Sequence, residues 1–402
     1  MITRQSRLTM ARVRPALGAV TMMAAWLAGG AEALAAEPPA NVRAWTGAVS
    51  ANWADGGNWS GGAAPGAADD VVIDGGKSQP VLDLAKGAVT VKSLTLGGKT
   101  AAATLSLANG NVADKILIIK GDVTVGTNGV LTHANETATG TAVGDETQRL
   151  CLEIGGNLTI GAGGAIRVAG CGYAKGAGPY KAGSSSGGVH GGEGGFGFLN
   201  DSGFGLRTTP TYGSVSSPVT AGGGSAYCAG GGVAVLRAAG RVSVNGVIDA
   251  TGGSGNGGGG AGGSVNIRAG ELLGNGSISA KGGDGVPSCS GGGAGGGRIA
   301  VVLTKAATFG SVTMSAAGGT CGGKDMGYGA AGTILSARRR AGGRLAHCFE
   351  SSVGRGGGRA DPDRSGSDWR RSGRCAGAIP PHSPTPVPVL TAYGAAGAKA
   401  NS

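Results

Sequence analysis

Apolar and polar residues alternate in short bursts along most of this chain. Five stretches align: GDVTVGTNGVLTHA (121–134), GNLTIGAGGAIRVA (156–169), GRVSVNGVIDAT (240–251), GELLGNGSISAK (270–281) and, more loosely, TFGSVTMSAAGG (308–319). Each holds a first β run, a Gly- or Asn-containing turn and a second β run. Leu131, Ile166, Ile248, Ile278 and Val312 occupy one place in this unit. His133, Val168, Ala250, Ala280 and Met314 follow two residues on, and Thr132, Arg167, Asp249, Ser279 and Thr313 lie between. Period two with one mostly apolar side predicts β-strands that bury one face.

The units recur at 35, 82, 30 and 34 residues, the long interval holding an insertion at 171–228. Self-similarity at this period signals a solenoid, in which each unit is too short to bury its own face and stacking makes the core. With β runs and no helical pattern between them, the predicted fold is all-β: a right-handed parallel β-helix over 77–335, with about three short strands per coil. Three glycine-rich runs follow aligned second β runs: GGSGNGGGGAGG (252–263), GGDGVPSCSGGGAGGG (282–297) and AGGTCGGKDMGYGAAG (317–332). They read as one loop repeated in three coils, where glycine permits positive φ and close backbone approach. Gly253, Gly255 and Gly258 have dinucleotide-loop spacing, but no βαβ unit surrounds them, and at this glycine density the spacing arises by chance.

Composition sharpens this picture. Glycine supplies 88 of 402 residues, and only 4% are aromatic. There is no strict Gly-X-Y period, which excludes collagen. Residues 1–35 read as a secretory signal: Arg4, Arg7, Arg12 and Arg14, then an apolar stretch at 15–30, then Ala33-Leu34-Ala35 as a cleavage site. The reading is therefore an exported protein whose mature chain has no stable membrane span. The net charge of +11 sits largely in the tail, where ten Arg and one Lys face four acids from Arg338 to Ser402. The body carries no basic stripe, so no nucleic-acid partner is expected. Trp45, Trp53 and Trp59 concentrate in 36–76. They read as a cap over the solenoid's first coil, with sugar stacking as the alternative.

The W-x-G…NW…NW-x-G…P…D-x-V-x-I opening resembles the start of exported bacterial β-helix proteins of the autotransporter and adhesin kind. GGVHGGEGG (187–195), TYGSVSSPVTAGGGS (211–225), GGAGGSVNIRAGELLGNGSISAKGG (259–283), GGGAGGGRIAVV (291–302) and GYGAAGTI (327–334) are similar to a Gly-rich bacterial surface-protein family. The resemblance covers 42–335 and implies a secreted or surface β-helix; it brings no catalytic residues. From 336 the alternation gives way to Arg, Gly, Ser and Pro. TPVPVLTAYG (385–394) resembles the start of an IPTL-type C-terminal sorting signal that stops short. Two readings of 336–402 stand: a coding frame lost near 336, or a genuine disordered basic tail.

The chemistry legible in the sequence is sparse. Of seven cysteines, Cys171 and Cys228 bracket the insertion, and Cys289 and Cys321 lie in equivalent loops, so these are the candidate disulfides. Cys151 alternates with Leu150 and Leu152 and is expected to face outward, unpaired. Asp249 is the best candidate acid, but no second acid neighbours it, and an Arg167–Asp249 surface ion pair is the plainer account. Asp284 in GGDG hints at calcium repeats without completing one. His133 reads as a core residue, and His190 lies in the insertion without an evident partner. No metal, cofactor or catalytic residue is expected. Tyr173, Tyr180, Phe196, Phe198, Tyr212 and Tyr227 gather in the insertion and are the candidate ligand contacts. The expected function is structural or adhesive, with an extracellular polysaccharide or a neighbouring cell surface as partner. The alternatives are a polysaccharide-active enzyme on the same scaffold, or a truncated product without function.

Overall fold

A computed structural model describes residues 41–97, 101–136, 142–180, 182, 185–197, 210–255, 257–286, 291–305, 308–321, 327–339 and 345–350. All belong to one compact unit. After β1 (Val42–Ala44), three short strands repeat coil by coil. The first coil is β2 (Asp70–Ile73), β3 (Val81–Asp83) and β4 (Val89–Val91); the second is β5 (Ser93–Leu96), β6 (Ala103–Ala108) and β7 (Leu117–Ile119). The third is β8 (Val123–Val125), β9 (Gly129–His133) and β10 (Leu150–Ile154). The fourth is β11 (Leu158–Ile160), β12 (Ala165–Arg167) and β13 (Val233–Ala238). The fifth is β14 (Arg241–Val244), β15 (Val247–Asp249) and β16 (Ser264–Ala269); the sixth is β17 (Glu271–Leu273), β18 (Ser277–Ser279) and β19 (Arg298–Leu303). The seventh has β20 (Thr313–Ser315) and β21 (Thr333–Arg339), and β22 (Leu345–Glu350) follows.

Like strands of successive coils pair in parallel, giving three sheets. Sheet I runs β1-β2-β5-β8-β11-β14-β17, sheet II runs β3-β6-β9-β12-β15-β18-β20, and sheet III runs β4-β7-β10-β13-β16-β19-β21-β22. This is the architecture of a parallel β-helix. Inward side chains stack into rungs: Val71, Leu94, Val123, Leu158, Val242 and Leu272 on sheet I, each in register with the next. On sheet II the rung is Leu105, Leu131, Ile166, Ile248, Ile278 and Met314. The first five of these are fully or almost fully buried, each burial stabilising the fold by roughly 1.5–3 kcal/mol. The last rung member corrects the sequence alignment, since Met314 rather than Val312 pairs with Ile278.

The N-terminal end is closed by residues 41–60. β1 pairs with β2, and Asn52 bridges to Val81 at the start of β3. Trp45, Trp53 and Trp59 are buried within the main core, with Trp59 edge-on to Trp45 at 4.9 Å and to Trp53 at 4.7 Å. Trp45 Nε1 donates to Ser78 O and Trp59 Nε1 to Trp53 O, both at 2.7 Å. Indoles so placed cover the first coil and are not available for sugar stacking.

At the other end, β-structure continues past residue 335, where the sequence pattern had predicted disorder. β21 reaches Arg339, and β22 returns antiparallel against it, from Ile334↔Glu350 to Arg339↔Leu345. Residues 351–402, with the segment that resembles a sorting signal, lie outside the described residues, as do residues 1–40 with the predicted signal peptide.

The glycine runs and the insertion all occupy the corner between sheets II and III. That corner is residues 84–88 in the first coil, 168–232 in the fourth, 250–263 in the fifth, 280–297 in the sixth and 316–332 in the seventh. The repeated-loop reading is right in position but incomplete in structure. Among the described residues of the three glycine runs only Gly257 has positive φ. Close approach, not left-handed backbone, is what demands glycine here.

Hydrogen bonds give the conformation. Gly259 and Gly262 donate to Gly292 and Gly295 of the next coil, Gly260 and Gly263 to Gly253 and Ala250 of their own outgoing arm, and Ala261 to Gly223 of the insertion. One coil on, Gly293 and Gly296 donate to Gly327 and Ala330, Ala294 and Gly297 to Gly283 and Ala280, and Gly292 and Gly295 to Ser185 and Gly188. The direction of donation repeats every three residues and every bond leaves the segment, as in a bundle of polyproline-II-type helices. Each corner is thus a hairpin of an outgoing and a returning arm. The arms stack coil upon coil into two layers, and segments 185–195 and 219–224 of the insertion add a third.

A Cβ on Gly295 would collide with the carbonyl of Gly192, on Gly262 with that of Ala280, and on Gly297 with that of Gly263. Gly295→Ala is expected to destabilise by about 1–3 kcal/mol, the cost of overpacking a rigid site. Gly161→Ala, whose Cβ would meet only an ordinary 3.6 Å contact with Val125 O, should leave stability unchanged or slightly raised. Denaturant melts of the two variants check this pair.

Candidate functional site

The insertion is a folded lid over the outer face of sheet III. In-register residues Cys151, Val235, Asn266, Ala300 and Leu335 point away from the solenoid interior, yet all are buried. Tyr173, Ala177 and Ala221 pack against Cys151 and Val235, and Val215 packs against Ala300 and Leu335. Hence VAVLRA and RIAVVL are nearly unbroken apolar runs, since strands covered on both sides need no polar face, while SVNIRA keeps polar residues at alternate positions. Cys151 does face outward as expected, but beneath this lid, and burial pushes its thiol up to about 12.

Buried polar groups fix the lid in place. Glu146 and Arg149 form an ion pair at 2.8 Å; Arg149 Nε donates to Val219 O, and Glu146 accepts from the Ala221 N–H. Arg298, at the start of β19, donates through Nε to Tyr212 O and through Nη1 to Thr333 Oγ1. Ser264 Oγ donates to Thr220 O at 2.5 Å. His190 lies at the centre, its Nδ1 2.7 Å from Gly262 O and its Nε2 3.0 Å from Thr220 Oγ1. The carbonyl requires the proton on Nδ1, leaving Nε2 to accept from the threonine hydroxyl. A hydroxyl beside an imidazole is the start of a nucleophile–base pair. Here both groups are buried, so the pair ties the insertion to the glycine bundle. His133 is satisfied in the same way, with Nδ1 on Ala134 O and Nε2 accepting from the Val233 N–H.

The structure separates the candidate ligand aromatics into two groups. Tyr173 and Tyr212 are core residues, with hydroxyls donating to Ala142 O and Ala221 O, and they cannot stack on a ligand. Tyr180 is half-buried, its ring 6.0 Å from that of Tyr212. Phe198 lies outside the described residues. Phe196 and Tyr227 are exposed, at 48% and 50%, and are joined by Tyr328 at 38%, which sequence reasoning did not single out. Outside β22, they are the only exposed aromatics among the described residues, and they share one level of the glycine bundle. Tyr227 rests on Gly257, Phe196 rests on Gly327, and the Gly327 N–H donates to Phe196 O. Between them the floor is glycine backbone. Three steps of hydrogen-bonded neighbours, each ~4.8 Å, put ~15 Å between the Tyr227 and Tyr328 rows. The missed signal was GYGAAG, where Tyr328 stands in register with glycines of earlier coils.

The Cys171–Cys228 pairing is not formed, and both are free thiols. Cys289 lies outside the described residues, and with it the Cys289–Cys321 pairing. Cys171 belongs to the main core and its Sγ faces Ala169 O, whereas Cys228 Sγ lies against Gly255. Gly172 bonds across to Gly230, so Cys228 sits farther out along the returning arm than the residues opposite Cys171. Burial raises both thiols above their ordinary range. Arg167 and Asp249 are in register, yet they close no ion pair; Asp249 Oδ1 instead accepts from the Thr251 N–H. Asp284 ties coils together, its carboxylate accepting from Thr320 N–H and Oγ1 while its own N–H donates to Ser254 Oγ. Among the described residues no cluster of His, Cys, Asp and Glu could hold a metal ion, and no helix is long and apolar enough to cross a membrane.

Burial dictates a pH response. It lowers the pKa of His133 to about 4 and of His190 to about 3. In the unfolded chain each imidazole binds a proton near pH 6.5. The unfolded state therefore binds more protons below that pH, so this stability is complete above 6.5 and is lost as pH falls. Urea midpoints should drop between pH 6.5 and 5, before most carboxylates titrate. The variant H133Q/H190Q should melt at a lower midpoint that no longer changes over that range. Comparison of the chain with protein-family models, curated proteins and solved structures returned no match, so the functional reading rests on this geometry.

Proposed function

We propose that this is a structural and adhesive β-helix of the bacterial surface, exported and without catalytic activity, that binds an extracellular polysaccharide through the aromatic rim of its glycine bundle. The observation that carries this reading is the placement of Tyr227, Phe196 and Tyr328. In a chain so poor in aromatics, these three exposed rings stand at one level, Tyr227 against Gly257 and Phe196 against Gly327. An aromatic face stacks on the apolar face of a sugar ring, and the spacing suits an extended glycan rather than a single sugar. The polar network beneath the insertion holds the rim rigid, which lowers the entropy lost on binding. The resemblance of the opening and the glycine-rich middle to exported bacterial surface proteins supports the location, as does the predicted signal peptide.

The triple variant Y227A/F196A/Y328A is expected to bind matrix polysaccharide at least ~10-fold more weakly, each lost stack costing about 0.5–1.5 kcal/mol. Its melting temperature should match the parent, because all three rings are exposed. Tyr173→Phe, which touches only the buried side of the insertion, should bind as the parent does. Equal polysaccharide retention by the triple variant and the parent would sink the proposal.

A further inference from the structure

In both layers of the glycine bundle one set of N–H groups in each coil donates forward, to the next coil. In the outgoing layer, Val168 and Gly170 donate to Asp249 and Thr251; Ala250 and Gly252 to Ser279 and Lys281; Ala280 and Gly282 to Ser315 and Ala317. In the returning layer, Gly259 and Gly262 donate to Gly292 and Gly295, and Gly293 and Gly296 to Gly327 and Ala330. By strand register, the next donors are Ala316 and Gly318 in the outgoing layer and Tyr328 and Ala331 in the returning layer. None of these four N–H groups has an acceptor among the described residues. Tyr328 is exposed in this row, and Ala316, a core residue, is fully buried. Gly318 and Ala331 are half-buried, whereas Gly252 and Gly282, and Gly262 and Gly296, at the equivalent places are buried. β22 covers the end of sheet III but pairs only with β21, so the end of the bundle is left uncovered by it.

We propose that this end of the bundle is a docking edge for a glycine-rich strand in the polyproline-II conformation, supplied by another polypeptide. Three features of the edge select that occupant. The returning-arm donors Tyr328 and Ala331 lie three residues apart, the repeat of a polyproline-II helix, whereas the outgoing donors Ala316 and Gly318, next to the end of β20, lie two apart. The surface between them is Ala317, Gly318, Ala330 and Ala331, which admits a backbone at hydrogen-bond distance. Every earlier row in the bundle already accepts a partner of this kind, so the edge continues an interface that the molecule builds three times over. This is strand addition to an open edge, carried out with a different helix from the usual β-strand. It uses the Tyr328 N–H, whereas the glycan reading uses the Tyr328 ring.

The probe is a synthetic peptide of residues 250–263, ATGGSGNGGGGAGG, which carries both arms of one hairpin. Titrated into the full-length isotope-labelled chain, it should shift the amide resonances of Ala316, Gly318, Tyr328 and Ala331 saturably. A control peptide with valine at Gly258, Gly260 and Gly262 should not. Gly318→Pro/Ala331→Pro removes two donors while keeping a backbone that polyproline-II geometry tolerates. This variant should bind at least ~10-fold more weakly at an unchanged melting temperature. Absence of saturable shifts, or equal binding by the proline variant, overturns the proposal. Binding that appears only when Gly356→Val and Gly357→Val are added to the full chain would assign the edge to the chain's own Gly354–Gly358 run, and overturns it as well.

Discussion

The constraint on which the structure depends is the distance at which its glycine segments approach one another. Segments bonded this closely through their N–H groups leave little room for a Cβ toward their neighbours. At most positions in the returning arms an added methyl would strike a carbonyl of the adjacent segment. Glycine normally weakens regular structure because it loses the most conformational freedom on folding. Here that loss is offset by backbone hydrogen bonds in a water-excluded bundle, the regime in which an unmade bond is most costly. A run that would be a floppy linker in another context becomes as ordered as the strands it joins.

The β-helix and the bundle hold each other in register. Strands of sheets II and III set the coil spacing, and that spacing is also the separation at which glycine segments can bond. The insertion at 168–232 does more than lengthen one corner. It supplies the third layer of the bundle, covers the outward row from Cys151 to Leu335, and buries Glu146, Arg149, His190 and Arg298 in satisfied pairs. Buried ionic groups contribute little net stability by themselves, but they penalise any other docking of the lid. The result is a platform on which Phe196, Tyr227 and Tyr328 stand exposed at one level.

Much of the fold was legible in the sequence because solenoids write their geometry as repetition. Leu131, Ile166, Ile248 and Ile278 aligned in the sequence and are one rung of sheet II. The looser fifth unit slipped by two residues, a shift that period-two alternation cannot detect because it preserves the face. The glycine runs were placed at the right corner, but their three-residue hydrogen-bond repeat leaves no trace in side chains that are nearly all absent. The site was less legible. Aromatic residue type alone could not distinguish Tyr173 and Tyr212, sealed under the lid, from Phe196 and Tyr227, which stand on it. Cysteine positions bracketing an insertion suggested a bridge, but Cys171 turns into the core. What did carry the lid in the sequence was the nearly unbroken apolar character of β13 and β19, a sign of strands buried on both faces.

The central claim is that the glycine runs are a hydrogen-bonded part of the folded body. Amide hydrogen exchange over residues 257–263 and 291–297, read against β16 and β19, tests it most directly. The structure predicts that these glycine amides exchange as slowly as the strand amides, in the same cooperative unit. Exchange at the rate of an unstructured peptide, with the flanking strands still protected, would contradict it and return the runs to the status of loops.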